Sequence, residues 1–176
     1  HLGSVSFNIV SSDVYFNGPS APPVMVQVTD NDSPGISIVE SGGTTSVTEG
    51  ITTTDSYTVV LTKIPTGNVD VVVDGGSQSR LSKTSTVGAA TTTTLNFTPA
   101  NWSTAQTVWV LPVDDTVAEL RHLSPITHSI SAVSAAEYQA LTGLPSVSAI
   151  ITDNDNNVAA NVVRISESSG STAVTE

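Results

Sequence analysis

The chain repeats itself. Val28-Thr29-Asp30-Asn31-Asp32 returns 123 residues later as Ile151-Thr152-Asp153-Asn154-Asp155, and Val10 and Tyr15 fall on Val133 and Tyr138 at the same spacing. Glu40-Ser41-Gly42 then resembles Glu167-Ser168-Ser169, and Val47-Thr48-Glu49 matches Val174-Thr175-Glu176, now 127 residues apart. The four added residues fall around 156–161, where a linker tolerates a change of length. The 176 residues are therefore expected to divide into three pieces: residues 1–32 as the tail of one repeat, 33–155 as a complete repeat, and 156–176 as a linker with the first strand of the next. A period above 120 residues is too long for a solenoid unit and suits separate beads, each with its own core.

Inside the complete repeat the hydrophobic period is two. Tyr57, Val59 and Leu61 alternate with Thr58, Val60 and Thr62; Val69, Val71 and Val73 alternate with Asp70, Val72 and Asp74; Leu95 and Phe97 alternate with Thr94, Asn96 and Thr98. Trp109, Leu111 and Val113 alternate with Val108, Val110 and Pro112, with Trp109 expected in the core and Pro112 indicating an edge strand or a bulge. Ile126, His128 and Ile130 share a face, as do Val147, Ala149 and Ile151. Turn residues separate the runs, as in Pro65-Thr66-Gly67-Asn68 and Asp74-Gly75-Gly76. About seven short strands of this kind predict an all-β fold, an immunoglobulin-like antiparallel β-sandwich. The one helical candidate is Ala135–Leu141, in a connection.

Composition narrows the function. Asp and Glu total 16 against 5 Lys and Arg, a formal charge of −11, which repels phosphate backbones and anionic lipid, so neither nucleic-acid binding nor membrane docking is expected. No apolar run reaches the roughly 20 residues of a membrane span. With no cysteine there are no disulfides and no thiolate chemistry. No G-x-S-x-G elbow occurs and no Ser stands apart from the others, so an enzyme is not expected. His128 between Ile126 and Ile130 reads as a structural histidine, and His122 as a solvated or lightly paired one.

The carboxylates are grouped. Six of the ten aspartates form the pairs Asp30/Asp32, Asp114/Asp115 and Asp153/Asp155, each just after an apolar strand. Like charges at strand ends cost stability unless a cation neutralises them, and sandwich strand ends gather at two poles. Hard cations such as Ca²⁺ take six to eight oxygen ligands, which several separated carboxylates can supply together.

Asp114-Asp115-Thr116-Val117-Ala118-Glu119, the terminal Asp153-Asn154-Asp155 and the early Thr48-Glu49 together resemble the Calx-beta family over about one complete repeat and both flanks. The run Leu95-Asn96-Phe97-Thr98-Pro99-Ala100-Asn101-Trp102, followed by Thr107-Val108-Trp109-Val110, is similar to the core of bacterial members, which occur as tandem repeats of large secreted and surface proteins. The resemblance implies a β-sandwich with Ca²⁺ at one pole, held by Glu49, Asp114, Asp115, Glu119, Asp153 and Asp155, with Asp74 as a weaker candidate. Asn154 in place of an acid, and Glu119 alone after Asp115, imply weak affinity, toward the roughly 10⁻⁴–10⁻³ M of extracellular modules. The expected role is a non-catalytic structural repeat of an extracellular or cell-surface adhesin, stalk or filament, whose partners are neighbouring repeats of the same chain. The alternatives are an adhesive module for glycan or protein, with Trp102 as its foremost exposed aromatic, and a self-assembling filament subunit in which further copies are the partners.

Overall fold

A computed structural model describes residues 1–17, 21–50, 54–85 and 88–155. The expected linker and opening strand over 156–176 lie outside the described residues. The chain separates into two compact units, His1–Ser33 and a second that begins at Pro34.

The first unit is a two-stranded antiparallel sheet, β1 (Leu2–Val5) and β2 (Val24–Gln27). Among its described residues the second has nine strands: β3 (Ile36–Glu40), β4 (Ser46–Thr48), β5 (Asp55–Leu61), β6 (Val69–Asp74), β7 (Ser79–Ser82), β8 (Thr92–Phe97), β9 (Gln106–Pro112), β10 (His122–Ile130) and β11 (Val147–Thr152). One short helix, α1 (Ala136–Gln139), lies within the predicted connection.

Two sheets form the second unit. One has the order β4-β11-β10-β6-β8 and the other β3-β5-β9-β7. Among the described residues every pairing is antiparallel except β4 with β11, where Ser46, Val47 and Thr48 run parallel to Ile150, Ile151 and Thr152. Side chains from both sheets meet in one core, including Tyr57, Val59, Val71, Leu95, Phe97, Val110, Ile126 and Ala149. This is the expected β-sandwich.

The alternation explains which faces point inward. Tyr57/Val59/Leu61, Val69/Val71/Val73, Leu95/Phe97 and Val147/Ala149/Ile151 are all buried, because side chains of a strand point to opposite faces in turn. On β9 the expected phase is wrong. Val108 and Val110 are the buried residues, and Trp109 is half-buried on the opposite face, opposite Ser56 on β5 and Ser82 on β7. Nor is β9 an edge strand, since it lies between β5 and β7. Pro112 is accommodated because it ends the strand, two residues past the last residue paired with β5.

The opening strand is split between the sheets. After β3 the chain makes a 3-10 turn at Ser41–Gly43, and β4 then joins the opposite sheet. Gly42 and Gly43 have φ of 65° and 84°, a left-handed backbone that glycine adopts without a Cβ clash. That crossing brings the end of β4 beside the end of β11.

His128 is a core histidine. Nε2 lies 3.1 Å from the Tyr57 hydroxyl and Nδ1 lies 2.8 Å from the Pro145 carbonyl oxygen. A carbonyl can only accept, so Nδ1 carries the proton and Nε2 accepts from Tyr57. Burial holds the imidazole below its ordinary pKa, partly offset by the Pro145 carbonyl.

Candidate metal centre

The pole at the ends of β4 and β11 collects the acids. Glu49 follows β4 and donates its backbone N–H to the Thr152 carbonyl at 3.0 Å, which extends the parallel pairing by one bond. Asp153 and Asp155 follow β11 directly. One carboxylate oxygen from each of Glu49, Asp153 and Asp155 lies within 4.8 Å of the others. Two oxygens on opposite sides of one Ca²⁺ stand about 4.6–5.2 Å apart, twice the usual bond length, so the three fit around one ion.

The Asp-Asn-Asp turn is held by its own backbone. Asp153 Oδ1 accepts the N–H of Asp155 at 2.6 Å, and Oδ2 accepts the N–H groups of Glu119 and Leu120 at 2.6 and 2.8 Å. These bonds place the Asp114–Glu119 loop against the triplet. Leu120 has φ of 62°, an uncommon left-handed conformation for a leucine, which aims both amides at one oxygen.

Electrostatics around the cluster are unfavourable without a cation. Glu49 is 2% exposed, and burial raises its pKa, with the charges of Asp153, Asp115 and Glu119 adding to the rise and His122 opposing it. Burial also raises Asp155, helped by Asp153, Asp114 and Asp115. Asp153 moves the other way, held down first by the Asp155 amide. Oδ2 of Asp155 is buried with no hydrogen-bond partner. An unpaired buried carboxylate oxygen among like charges is costly, and a hard cation would remove that cost.

Of the other predicted ligands, Asp114, Asp115 and Glu119 stand near this group. Asp114 and Asp115 are exposed in the loop after β9, where Asp115 Oδ1 accepts the Val117 N–H at 2.7 Å. Glu119 accepts from the side-chain amide of Gln78 and lies 3.7 Å from His122 Nε2. Asp74 stands outside the three-carboxylate group: it is exposed at the end of β6, and its Oδ1 accepts the Gly76 N–H at 2.9 Å.

Two residues at the pole were not singled out as part of the site by the sequence. His122 begins β10; its charge opposes the rise at Glu49 and adds, after the backbone amides, to what holds Asp153 down. Its position three residues after Glu119, the end of the acidic loop, was the available signal. Gly50 has φ of 70°, and a Cβ there would lie 1.9 Å from Asn154 Nδ2. A side chain at position 50 would therefore displace the Asn154 carboxamide, besides adopting a left-handed backbone. Trp102 is half-buried against the core, and its carbonyl accepts the Leu61 N–H at 3.1 Å.

No family model and no curated protein matches the chain. Solved structures do. An apo-form Calx CBD1 domain is 18% identical with a TM-score of 0.39, covering 69% of this chain and 99% of its own. CBD12 of CALX1.2 is 17% identical with a TM-score of 0.40, covering 67% of this chain and 45% of its own. The calcium-binding domain CBD12 of CALX1.1 gives 17%, 0.40, 68% and 45% for the same quantities. The chain thus spans a little under half of the two CBD12 structures.

Proposed function

We propose that the unit beginning at Pro34 is a non-catalytic, Ca²⁺-binding β-sandwich module, one bead of a tandem array in an extracellular structural protein. The observation that carries the metal reading is the Glu49, Asp153 and Asp155 group, three carboxylates with ligand atoms within 4.8 Å, one of them with a buried, unpartnered oxygen. Oxygen-only donors of this kind suit a hard cation, and Asp114, Asp115 and Glu119 supply further charge around it. Bound Ca²⁺ would tie the first and last strands of the bead together at the point where the chain leaves it. In a chain with no cysteine, that tie takes the place a disulfide has in other secreted domains.

The array reading rests on the internal repeat. His128 is engaged by Tyr57 and Pro145, and His122 by the Leu120 carbonyl and Glu119. No helix among the described residues is long and apolar enough to cross a membrane. Calorimetric titration of Ca²⁺ into chelator-treated protein tests the metal reading. Heat saturating at or below millimolar Ca²⁺ supports it, and no heat there refutes it.

A further inference from the structure

The chain passes from one sheet to the other over residues 41–45, between the end of β3 and the start of β4. Where β4 starts decides where Glu49 falls, because β4 is only Ser46–Thr48 and Glu49 follows at once. The turn permits this path without enforcing it, since the left-handed Gly42 and Gly43 could adopt many others. The path is fixed from outside the turn.

Asp55, the first residue of β5, touches both ends of the crossing. Its Oδ1 accepts the hydroxyl of Ser41, where the crossing begins, and the N–H of Ser56 at 2.7 Å. Its Oδ2 accepts the N–H of Ser46, the first residue of β4, at 2.8 Å. β5 lies between β3 and β9, so the carboxylate is carried by a strand paired on both edges. Burial pushes its pKa up, but the bonds from Ser41, Ser46 and Ser56 outweigh burial and hold it below the ordinary value, so the acceptor is ionised at neutral pH. Hydrogen bonds to an ionised acceptor are roughly twice as strong as those between neutral groups. From the other side, the Thr45 carbonyl accepts the Ile150 N–H at 2.8 Å. The crossing is thus anchored to β11 and to β5 at adjacent residues, Thr45 and Ser46.

Asp55 is not one of the three grouped carboxylates, and both its oxygens already accept hydrogen bonds. We infer that Asp55 is a positioning residue of the acidic pole: by holding Ser41 and Ser46 it sets the start of β4, and thereby sets Glu49 beside Asp153 and Asp155. An acid that is not itself a ligand is needed for the ligand group to form. The inference rests on the Ca²⁺ reading only for its effect on affinity. The placement of Glu49 is measurable without metal through its own N–H, which donates to the Thr152 carbonyl.

Asp55→Asn keeps the shape but puts an NH₂ donor where one oxygen accepted, so at least one of the three donors loses its partner. In chelator-treated protein, amide exchange read by NMR is expected to speed up at Glu49 by about tenfold relative to the amides of the β6–β8 pairing, and calorimetric Ca²⁺ affinity to fall by about the same factor, as losing one bond to a charged acceptor implies. Asn101→Ala is the control for a merely structural role. Asn101 Oδ1 accepts the Thr98 N–H at 2.6 Å in the turn between β8 and β9, so its loss lowers the melting temperature and is expected to leave both readouts unchanged. If Asp55→Asn does not fold, Ser41→Ala, which removes one donor, should move both readouts in the same direction by about threefold. Glu49 exchange that keeps step with the β6–β8 amides in the Asp55 variant would overturn the inference, as would a Ca²⁺ affinity equal to that of the wild type. If the wild type binds no Ca²⁺, the metal reading falls alone and the exchange ratio decides this inference.

Discussion

The Glu49 N–H donates to the Thr152 carbonyl at 3.0 Å, and that bond sets a buried glutamate beside the aspartates that follow the last strand. About a hundred residues of chain separate the two, yet they are adjacent because β4 crosses to the other sheet and pairs in parallel with β11. The acidic pole is a product of that one topological feature.

Removing a ligand at the centre of the group should therefore weaken Ca²⁺ binding strongly without unfolding the bead. Glu49→Gln and Asp155→Asn are each expected to weaken Ca²⁺ binding at least tenfold by calorimetry. Their metal-free melting temperatures should equal or exceed that of the wild type, because each substitution relieves a carboxylate whose ionised form burial disfavours. Asp74→Asn should leave Ca²⁺ affinity within about twofold, since that side chain caps its own turn.

Ca²⁺ should stabilise the fold by mass action. At a free concentration a hundredfold above Kd, the gain is about 2.7 kcal/mol, read as a rise of several degrees in melting temperature that chelation reverses. The same scan on Asp155→Asn should show little rise. Protease nicking near Asp153 should also slow on adding Ca²⁺.

Gly50 should be intolerant of any side chain. Gly50→Ala puts a Cβ into the left-handed region and 1.9 Å from Asn154 Nδ2. We expect a loss above about 1 kcal/mol in denaturant melts, because alanine is strained at this backbone, together with weaker Ca²⁺ binding, because the Asn154 side chain is pushed aside between the two aspartates. Asn154→Gly in the same background should restore part of both.

Acid should weaken the fold through His128. Its folded pKa lies below the unfolded value of about 6.5, so its contribution is complete above that pH and is lost as the pH falls through the folded value. Melts across this window in saturating Ca²⁺ should show falling stability in the wild type and a flatter profile in His128→Phe. That variant also leaves the Tyr57 hydroxyl without its acceptor and is expected to cost about 1–3 kcal/mol near neutral pH.

The sandwich could be read from the sequence wherever one face of a strand is apolar and the other polar. Tyr57-Val59-Leu61 and Val69-Val71-Val73 are of this kind, and their inward faces follow the alternation. On β9 both faces are apolar, Val108 and Val110 on one and Trp109 and Leu111 on the other, so the period gives the strand and leaves its phase undetermined. β7 reads Ser-Arg-Leu-Ser, with only Leu81 apolar, and its burial comes from its place beside β9. That strand and the splitting of β3 from β4 account for a count above the seven expected.

At the site, the clustering of aspartates after strands was visible directly, because Asp114/Asp115 and Asp153/Asp155 adjoin apolar runs. Which carboxylates share one point was not. That depends on a parallel pairing between opposite ends of the bead, and on Gly50 admitting Asn154, neither of which leaves a local pattern.

The most direct test of the account is calorimetric titration of Ca²⁺ into the chelator-treated chain, run in parallel with Glu49→Gln. The account predicts saturable binding at or below millimolar Ca²⁺ in the wild type and its loss in the variant. Flat heats in the wild type, or undiminished binding in the variant, would contradict it.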